Sequence, residues 1–196
     1  MLSRAVIAQR IGSGALGIDP YSEAQLRGAS YVLRLGGRFR RWLPGQSMIR
    51  MWSPSAAGAA LGPPEAAGSL TIDPGNFVLG CTLERIRLPA DLTGRISPLS
   101  HVARFGLGIT CGADFINPGF GGAAASMLTL ELYNHNSRPL ELLAGMPIAH
   151  LHLVAIGTEV DGSPPRSIYE GSDPLTEPLL FEEWGSVLSL EADVPS

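Results

Sequence analysis

Hydrophobic and polar positions alternate in short runs along most of this chain, with a period close to two. Tyr31-Val32-Leu33-Arg34-Leu35 alternates, Phe77 to Leu83 is a long β-prone run, and Glu84 to Leu88 alternates again before Pro89. The pattern is strongest from Met127 to Ile156, where Leu128, Leu130 and Leu132 fall on one face of a strand and Thr129, Glu131 and Tyr133 on the other. Asn134 to Pro139 reads as a turn into a second strand pair around Ala144-Gly145-Met146-Pro147. Near the N-terminus the period lengthens: Ser3 is placed to cap a short helix with Val6, Ile7 and Ile11 on one face, ended by Gly12 to Gly14. Ser53 to Gly68 is rich in Ala, Gly and Pro and reads as a surface loop within the domain, and Gly119-Phe120-Gly121-Gly122 is a hairpin signal. The pattern predicts a mainly β domain over residues 1–158. Residues 159–196, Pro- and acid-rich with weak periodicity, are expected to form a C-terminal arm or lid and not a second domain.

Composition narrows the picture. The chain has 196 residues, enough for one domain with a real core, and its 24 Gly and 16 Pro favour many short strands over long helices. Charged residues make up 16% and the formal net charge is −4, which argues against a general nucleic-acid binder needing a basic stripe. All 14 basic residues are Arg, so a lysine nucleophile, a Schiff base and a P-loop lysine are excluded. Cys81 and Cys111 form no C-x-x-C, suggesting neither a zinc ribbon nor a disulfide framework. Met1 to Ile11 lacks a continuous apolar stretch and no run approaches a spanning helix, so a soluble cytoplasmic protein is expected, with no membrane partner.

Two groups of residues suggest chemistry. Glu131 lies mid-strand, opposite the three leucines; periodicity alone makes it an ordinary solvated strand residue. A partly buried carboxylate can also take a proton from water and deliver it to a leaving group. Ser100 and Arg104 lie four apart in one turn after Pro98, which puts both on one side of that turn. Together a hydroxyl and a guanidinium can hold a water and steady developing negative charge; the plainer reading makes Ser100 a cap and Arg104 a surface cation. His150 and His152 share a strand face, but two ligands without a third identifiable partner read as core or interface histidines, not a metal site. The zinc deaminase signature, H-x-E with P-C-x-x-C, is absent.

Three ordered stretches carry a resemblance: Gly94-Arg95-Ile96-Ser97-Pro98-Leu99-Ser100-His101-Val102-Ala103-Arg104, Ile116-Asn117-Pro118-Gly119-Phe120, and Thr129-Leu130-Glu131-Leu132-Tyr133-Asn134. Together with Ile18-Asp19-Pro20, Leu26 to Gly36 and Thr82 to Gly94, they resemble the dCTP deaminases and trimeric dUTPases, up to about Ile156. The resemblance implies a distorted, dUTPase-like β-barrel of the β-clip type that forms homotrimers, with sites between subunits. It implies no metal at the reacting carbon and leaves room for Mg2+ with the nucleotide phosphates. It makes Glu131 the general acid and base, with Ser100 and Arg104 holding the water and the carboxylate. It puts backbone at Cys111, Gly112 and Ala113 on the pyrimidine, and Phe115 and Ile116 beside the sugar. The implied reaction is hydrolytic deamination of a cytosine nucleotide, most simply dCTP to dUTP with release of ammonia.

Some positions depart from the family pattern. Leu99 replaces an arginine that grips the triphosphate, and His101 stands at a small, phosphate-facing position. Asn117 replaces an aspartate; an amide keeps a hydrogen bond to a sugar hydroxyl but cannot act as a base, which argues against phosphohydrolysis. Ala123 to Ser126 is a four-residue insertion, and an even number preserves the facing of Glu131. The family's C-terminal Lys and Gln have no counterpart in Ser167 to Ser186, where Tyr169 is the only candidate. These departures keep two alternatives open: a relative acting on a mono- or modified nucleotide, and a non-catalytic nucleotide-binding trimer.

Overall fold

The computed structural model describes residues 1–45, 48–51, 60–157, 168–169, 171–180 and 182–185. In chain order the elements are α1 (Arg4–Gly12), β1 (Gly17–Asp19), β2 (Tyr31–Arg41), β3 (Glu65–Ala66), β4 (Ser69–Ile72), β5 (Phe77–Arg87), β6 (Leu92–Pro98), α2 (Ser100–Arg104), β7 (Leu107–Gly108), β8 (Phe115–Ile116), β9 (Ser126–Asn134), β10 (Leu140–Leu143) and β11 (Pro147–Ala155). Among the described residues nine strands make one curled sheet along the path β7-β9-β5-β2-β11-β6-β8, with β1 on β5 and β3 on β2. The pairings are antiparallel, and β4 and β10 form a separate two-stranded sheet. The mainly β architecture expected from the alternation is the one observed.

Inside the curl, Leu33, Leu35, Phe39, Ile86, Leu130, Leu132, Ile148 and Leu151 are each at most 1% exposed. Alternating side chains deliver one apolar face per strand, so this core follows from period two. The two runs at Phe77–Leu83 and Glu84–Leu88 form one strand, β5, whose register against β9 shifts between Cys81 and Arg85. Thr82 occupies the irregularity: its hydroxyl donates to the Glu84 carbonyl at 2.7 Å and accepts from the Leu128 N–H at 2.9 Å. The fully buried Glu84 carboxylate accepts from the Arg34 backbone N–H at 2.8 Å, from Arg34 Nε at 2.7 Å and from Gln25 Nε2 at 3.0 Å. A buried charge is tolerable only with such saturation of its lone pairs.

Several expectations are corrected. The Ser3 side chain makes no cap hydrogen bond, and only Ile7 of α1 is buried, with Val6 36% exposed. The helix instead hangs on its backbone, with Leu2 N–H on Leu153 O at 2.7 Å and Arg4 N–H on Gly28 O at 2.8 Å. Within the supposed surface loop, Leu61 is buried and Glu65–Ala66 pairs with β2; residues 52–59 of that loop lie outside the described residues. The segments around Ala144–Pro147 are consecutive but not a hairpin, because β10 pairs with β4 and β11 with β2 and β6. The glycine run at 119–122 is likewise not a hairpin but a crossover between β8, paired with β6, and β9, paired with β5. Gly121 sits there at φ +87°, and a Cβ would lie 2.1 Å from the Ile86 carbonyl oxygen, so the crossover requires glycine.

Residues 171–179 lie across the outer face of the sheet. Arg38 pairs with Asp173 at 2.6 Å, Arg40 donates to the Leu175 carbonyl at 2.8 Å and to Glu177 at 3.0 Å, and the Thr129 hydroxyl donates to the Pro174 carbonyl at 2.6 Å. Leu175, 1% exposed, forms a second small apolar cluster with Leu61 and Leu79, flanked by Trp42 and Phe77.

His150 and His152 stand on the outer side of β11 with ring centroids 5.6 Å apart. His150 Nδ1 is hydrogen-bonded to Ser30 Oγ and His152 Nε2 to Ser97 Oγ, both at 3.0 Å. Among the described residues no three metal-ligating side chains cluster. Burial lowers the His150 pKa, with His152 and Arg27 adding repulsion. A native value below the unfolded one means that the stabilisation is complete above about pH 6.5 and is lost as the pH falls from there through the native value. Urea midpoints at pH 7.5 and 5.5 are therefore expected to fall further for wild type than for His150→Gln; equal falls would contradict this.

Candidate active site

The facing of β9 is set by Leu128, Leu130 and Leu132, all at most 5% exposed, so Thr129, Glu131 and Tyr133 point outward. Across the ladder Glu131 is paired with Leu79 and Tyr133 with Phe77. On its other edge β9 meets the chain leaving α2: Leu107 pairs with Asn134, Gly108 with Tyr133, and the Glu131 N–H donates to the Ile109 carbonyl at 2.9 Å. The loop Thr110–Asp114 thus begins beside Glu131. Its Cys111 N–H donates to Glu131 Oε2 at 2.6 Å, a short charge-assisted contact that fixes the carboxylate. Oε1 makes no hydrogen bond among the described residues, which leaves one oxygen anchored and one available.

Cys111, Gly112 and Ala113 are exposed, with Gly112 at φ +111° and open space around its α-carbon, so this backbone can meet a planar ligand edge to edge. Burial pushes the Cys111 thiol pKa up and the Glu131 charge pushes it the same way. A thiol held in its protonated form is a weaker nucleophile, and what Cys111 gives Glu131 is its backbone N–H. The loop ends at Asp114, whose carboxylate pairs with Arg95 Nε at 2.5 Å and whose carbonyl accepts from Ile96 N–H at 2.8 Å.

Ser100, His101 and Arg104 are exposed on α2 and make no side-chain hydrogen bond or ion pair among the described residues. Ser100 does not cap the helix, because Leu99 occupies the cap position. Leu99 itself packs against the main core, and its N–H donates to Ile148 O at 3.1 Å. One chain therefore brings together Glu131 and Cys111–Ala113 and leaves the serine and arginine facing outward. Phe115 is 62% exposed, whereas the Ile116 side chain is 5% exposed and packs in the core, and its backbone is taken up by pairing with Gly94 and by the Thr93 hydroxyl, which donates to its carbonyl at 2.8 Å; the expected place of Ile116 beside a sugar is not what one chain presents. Asn117 is exposed at the start of a turn closed by its own carbonyl and Phe120 N–H at 3.2 Å. The Tyr169 hydroxyl accepts from Leu179 N–H at 2.7 Å, within the C-terminal segment.

Sequence reasoning missed the residues that tie these pieces together. Asn136 Nδ2 donates to Phe105 O at 2.9 Å and His135 N–H to Gly106 O at 2.8 Å, fastening the end of α2 to the end of β9. Buried Asn134 donates to Ile72 O and Arg138 O, both at 2.8 Å, and accepts from Asn136 N–H at 2.8 Å. The Asn-His-Asn-Ser run was a visible turn signal, since asparagine side chains bond their own backbone two residues on.

A family model described as dCTP deaminase-like matches residues 1–156. A protein of Methanospirillum hungatei named dCTP deaminase, dUMP-forming, is 37% identical over 147 residues, covering 74% of this chain and 76% of its own. A protein of the same name from Parafrankia sp. is 36% identical over 170 residues, covering 86% of this chain and 83% of its own. Among solved structures, the 2'-deoxycytidine 5'-triphosphate deaminase of Agrobacterium tumefaciens shares the fold at a TM-score of 0.58 and 18% identity. That match covers 78% of this chain and 46% of that one. Among the described residues no helix is long and apolar enough to cross a membrane. Matched over residues 1–156 by that family model and 36–37% identical to those two relatives, this chain belongs to the dCTP deaminase-like family.

Proposed function

We propose that the chain is a hydrolytic deaminase of a cytosine nucleotide, with dCTP as first substrate. The observation that carries this reading is Glu131: one oxygen held by the Cys111 N–H at 2.6 Å, the other open beside backbone able to read a pyrimidine edge. Water held at that second oxygen gives a proton to Glu131 as its oxygen attacks C4, and the carboxyl passes that proton to N3; it then carries the C4 hydroxyl proton to the amine, the C4–N bond breaks as C4=O forms, and ammonia and a uracil nucleotide remain. Magnesium, where present, accompanies the phosphates.

Two products are open to such an enzyme. The curated relatives are named for dUMP. In this chain Asn117 cannot take a proton from a second water, so we assign dUTP as product, with dUMP the competing reading that the relatives' name favours. A panel of cytidine and deoxycytidine mono-, di- and triphosphates, scored for ammonia and for pyrophosphate, decides it. Ammonia without pyrophosphate from dCTP is expected; both together would establish dUMP, and neither would sink the deaminase.

Ser100 and Arg104 meet no side-chain partner among the described residues, and on this reading the site is completed by α2 of a second copy in a homotrimer. Co-expressed Glu131→Gln and Arg104→Ala chains, each inactive alone, are then expected to recover part of the activity in mixed trimers. No recovery, or full activity of a monomer, would contradict the shared site.

A further inference from the structure

We propose that Leu175 is a positioning residue for Glu131: the C-terminal segment carrying it covers Leu79, the neighbour of Glu131 across the β5–β9 ladder, and walls off that flank of the carboxylate. The inference rests on Glu131 being the proton-transfer group. Leu79 and Glu131 are direct cross-strand partners, so their side chains leave the sheet on the same face. Leu79 is nonetheless 8% exposed on a face that is otherwise the outside of the barrel. What covers it is the cluster of Leu61 and Leu175, the latter 1% exposed.

Leu175 is not held there by apolar contact alone. Arg40 Nη1 bonds its carbonyl at 2.8 Å and the Glu177 carboxylate at 3.0 Å, and Arg38 bonds Asp173 at 2.6 Å. Asp173 Oδ1 in turn accepts from the Leu175 N–H at 2.9 Å, and Thr129, two residues from Glu131 on the same face, bonds Pro174 O at 2.6 Å. The segment is therefore pinned on both sides of Leu175 and tied, through Thr129, to the strand that carries Glu131. With that flank dry and filled, Glu131 is confined to the side where Cys111 N–H meets it. A positioned group of this kind governs turnover more than affinity, since small misplacements of a reacting group are felt in the barrier.

The test is Leu175→Ala in the full chain, read by amide-resolved hydrogen exchange and by steady-state kinetics. Expected are faster exchange of the 171–179 amides, faster exchange of the Cys111 amide, and a kcat lower by on the order of tenfold to a hundredfold with KM little changed. Leu175→Met, which keeps the volume, is expected to restore both. Should Leu175→Ala fail to fold, Asp173→Asn removes the Arg38 ion pair without a cavity, and smaller changes in the same directions are expected. Loosened 171–179 amides with an unchanged Cys111 amide and unchanged kcat would overturn the proposal. Absence of any deamination by wild type would instead refute the functional reading, while the Cys111 amide would still report whether Leu175 orders Glu131.

Discussion

Glu131→Gln is expected to lower kcat by about 10²–10⁴-fold while leaving thermal stability and ligand binding close to wild type. The amide is isosteric, and its carbonyl oxygen still accepts the hydrogen bond that Cys111 N–H gives to Oε2. The leucine face that fixes β9 is untouched. What disappears is the ability to take a proton from water and return it to the nucleotide. Single-turnover ammonia release, with calorimetric titration of the substrate, separates the two quantities. Turnover near wild type would remove Glu131 from the mechanism.

A second large effect is expected at Leu99, where the family resemblance places a phosphate-gripping arginine. Charge-assisted, bidentate contacts to phosphate are worth about 1.5–3 kcal/mol, or roughly ten- to a hundredfold in affinity. If the substrate is a triphosphate held in the family manner, Leu99→Arg lowers its KM by that order with little change for the monophosphate. The structure adds a competing term, because Leu99 packs against the core at the head of α2 and the new side chain has to turn outward. Thermal melting of the variant measures that term separately. An equal KM response for matched mono- and triphosphates would mean that position 99 does not face the phosphates.

The facing of Glu131 was legible before any coordinates, since three leucines at alternate positions leave a single orientation for the residue between them. The β character of β2, β5, β9 and β11 was legible for the same reason. Partnership was not. Period two says that a strand has a buried face but nothing about which strand lies beside it, and β10 and β11, neighbours in the chain, each pair elsewhere. The glycines at 119–122 signal a hairpin in the sequence, whereas the pairing of β8 with β6 and of β9 with β5 makes the segment a crossover, in which a Cβ on Gly121 would lie 2.1 Å from Ile86 O. The anchoring of Glu131 was invisible because a backbone N–H is common to every residue but proline. Leu175 sat in a segment without periodicity, where an apolar residue gives no sign of what it covers.

The place of β11 in the sheet bears on how the protein reaches its native state. Of the described strands β11 is the last in chain order, yet it lies between β2 and β6, hydrogen-bonded to both. Until it arrives, β2 and β6 each present an unpaired edge. Assembly therefore waits on contacts between distant parts of the chain, the regime of slow folding and exposure to aggregation. A chain cut before Pro147 is left with a sheet open at its centre and two edges able to recruit strands from other molecules.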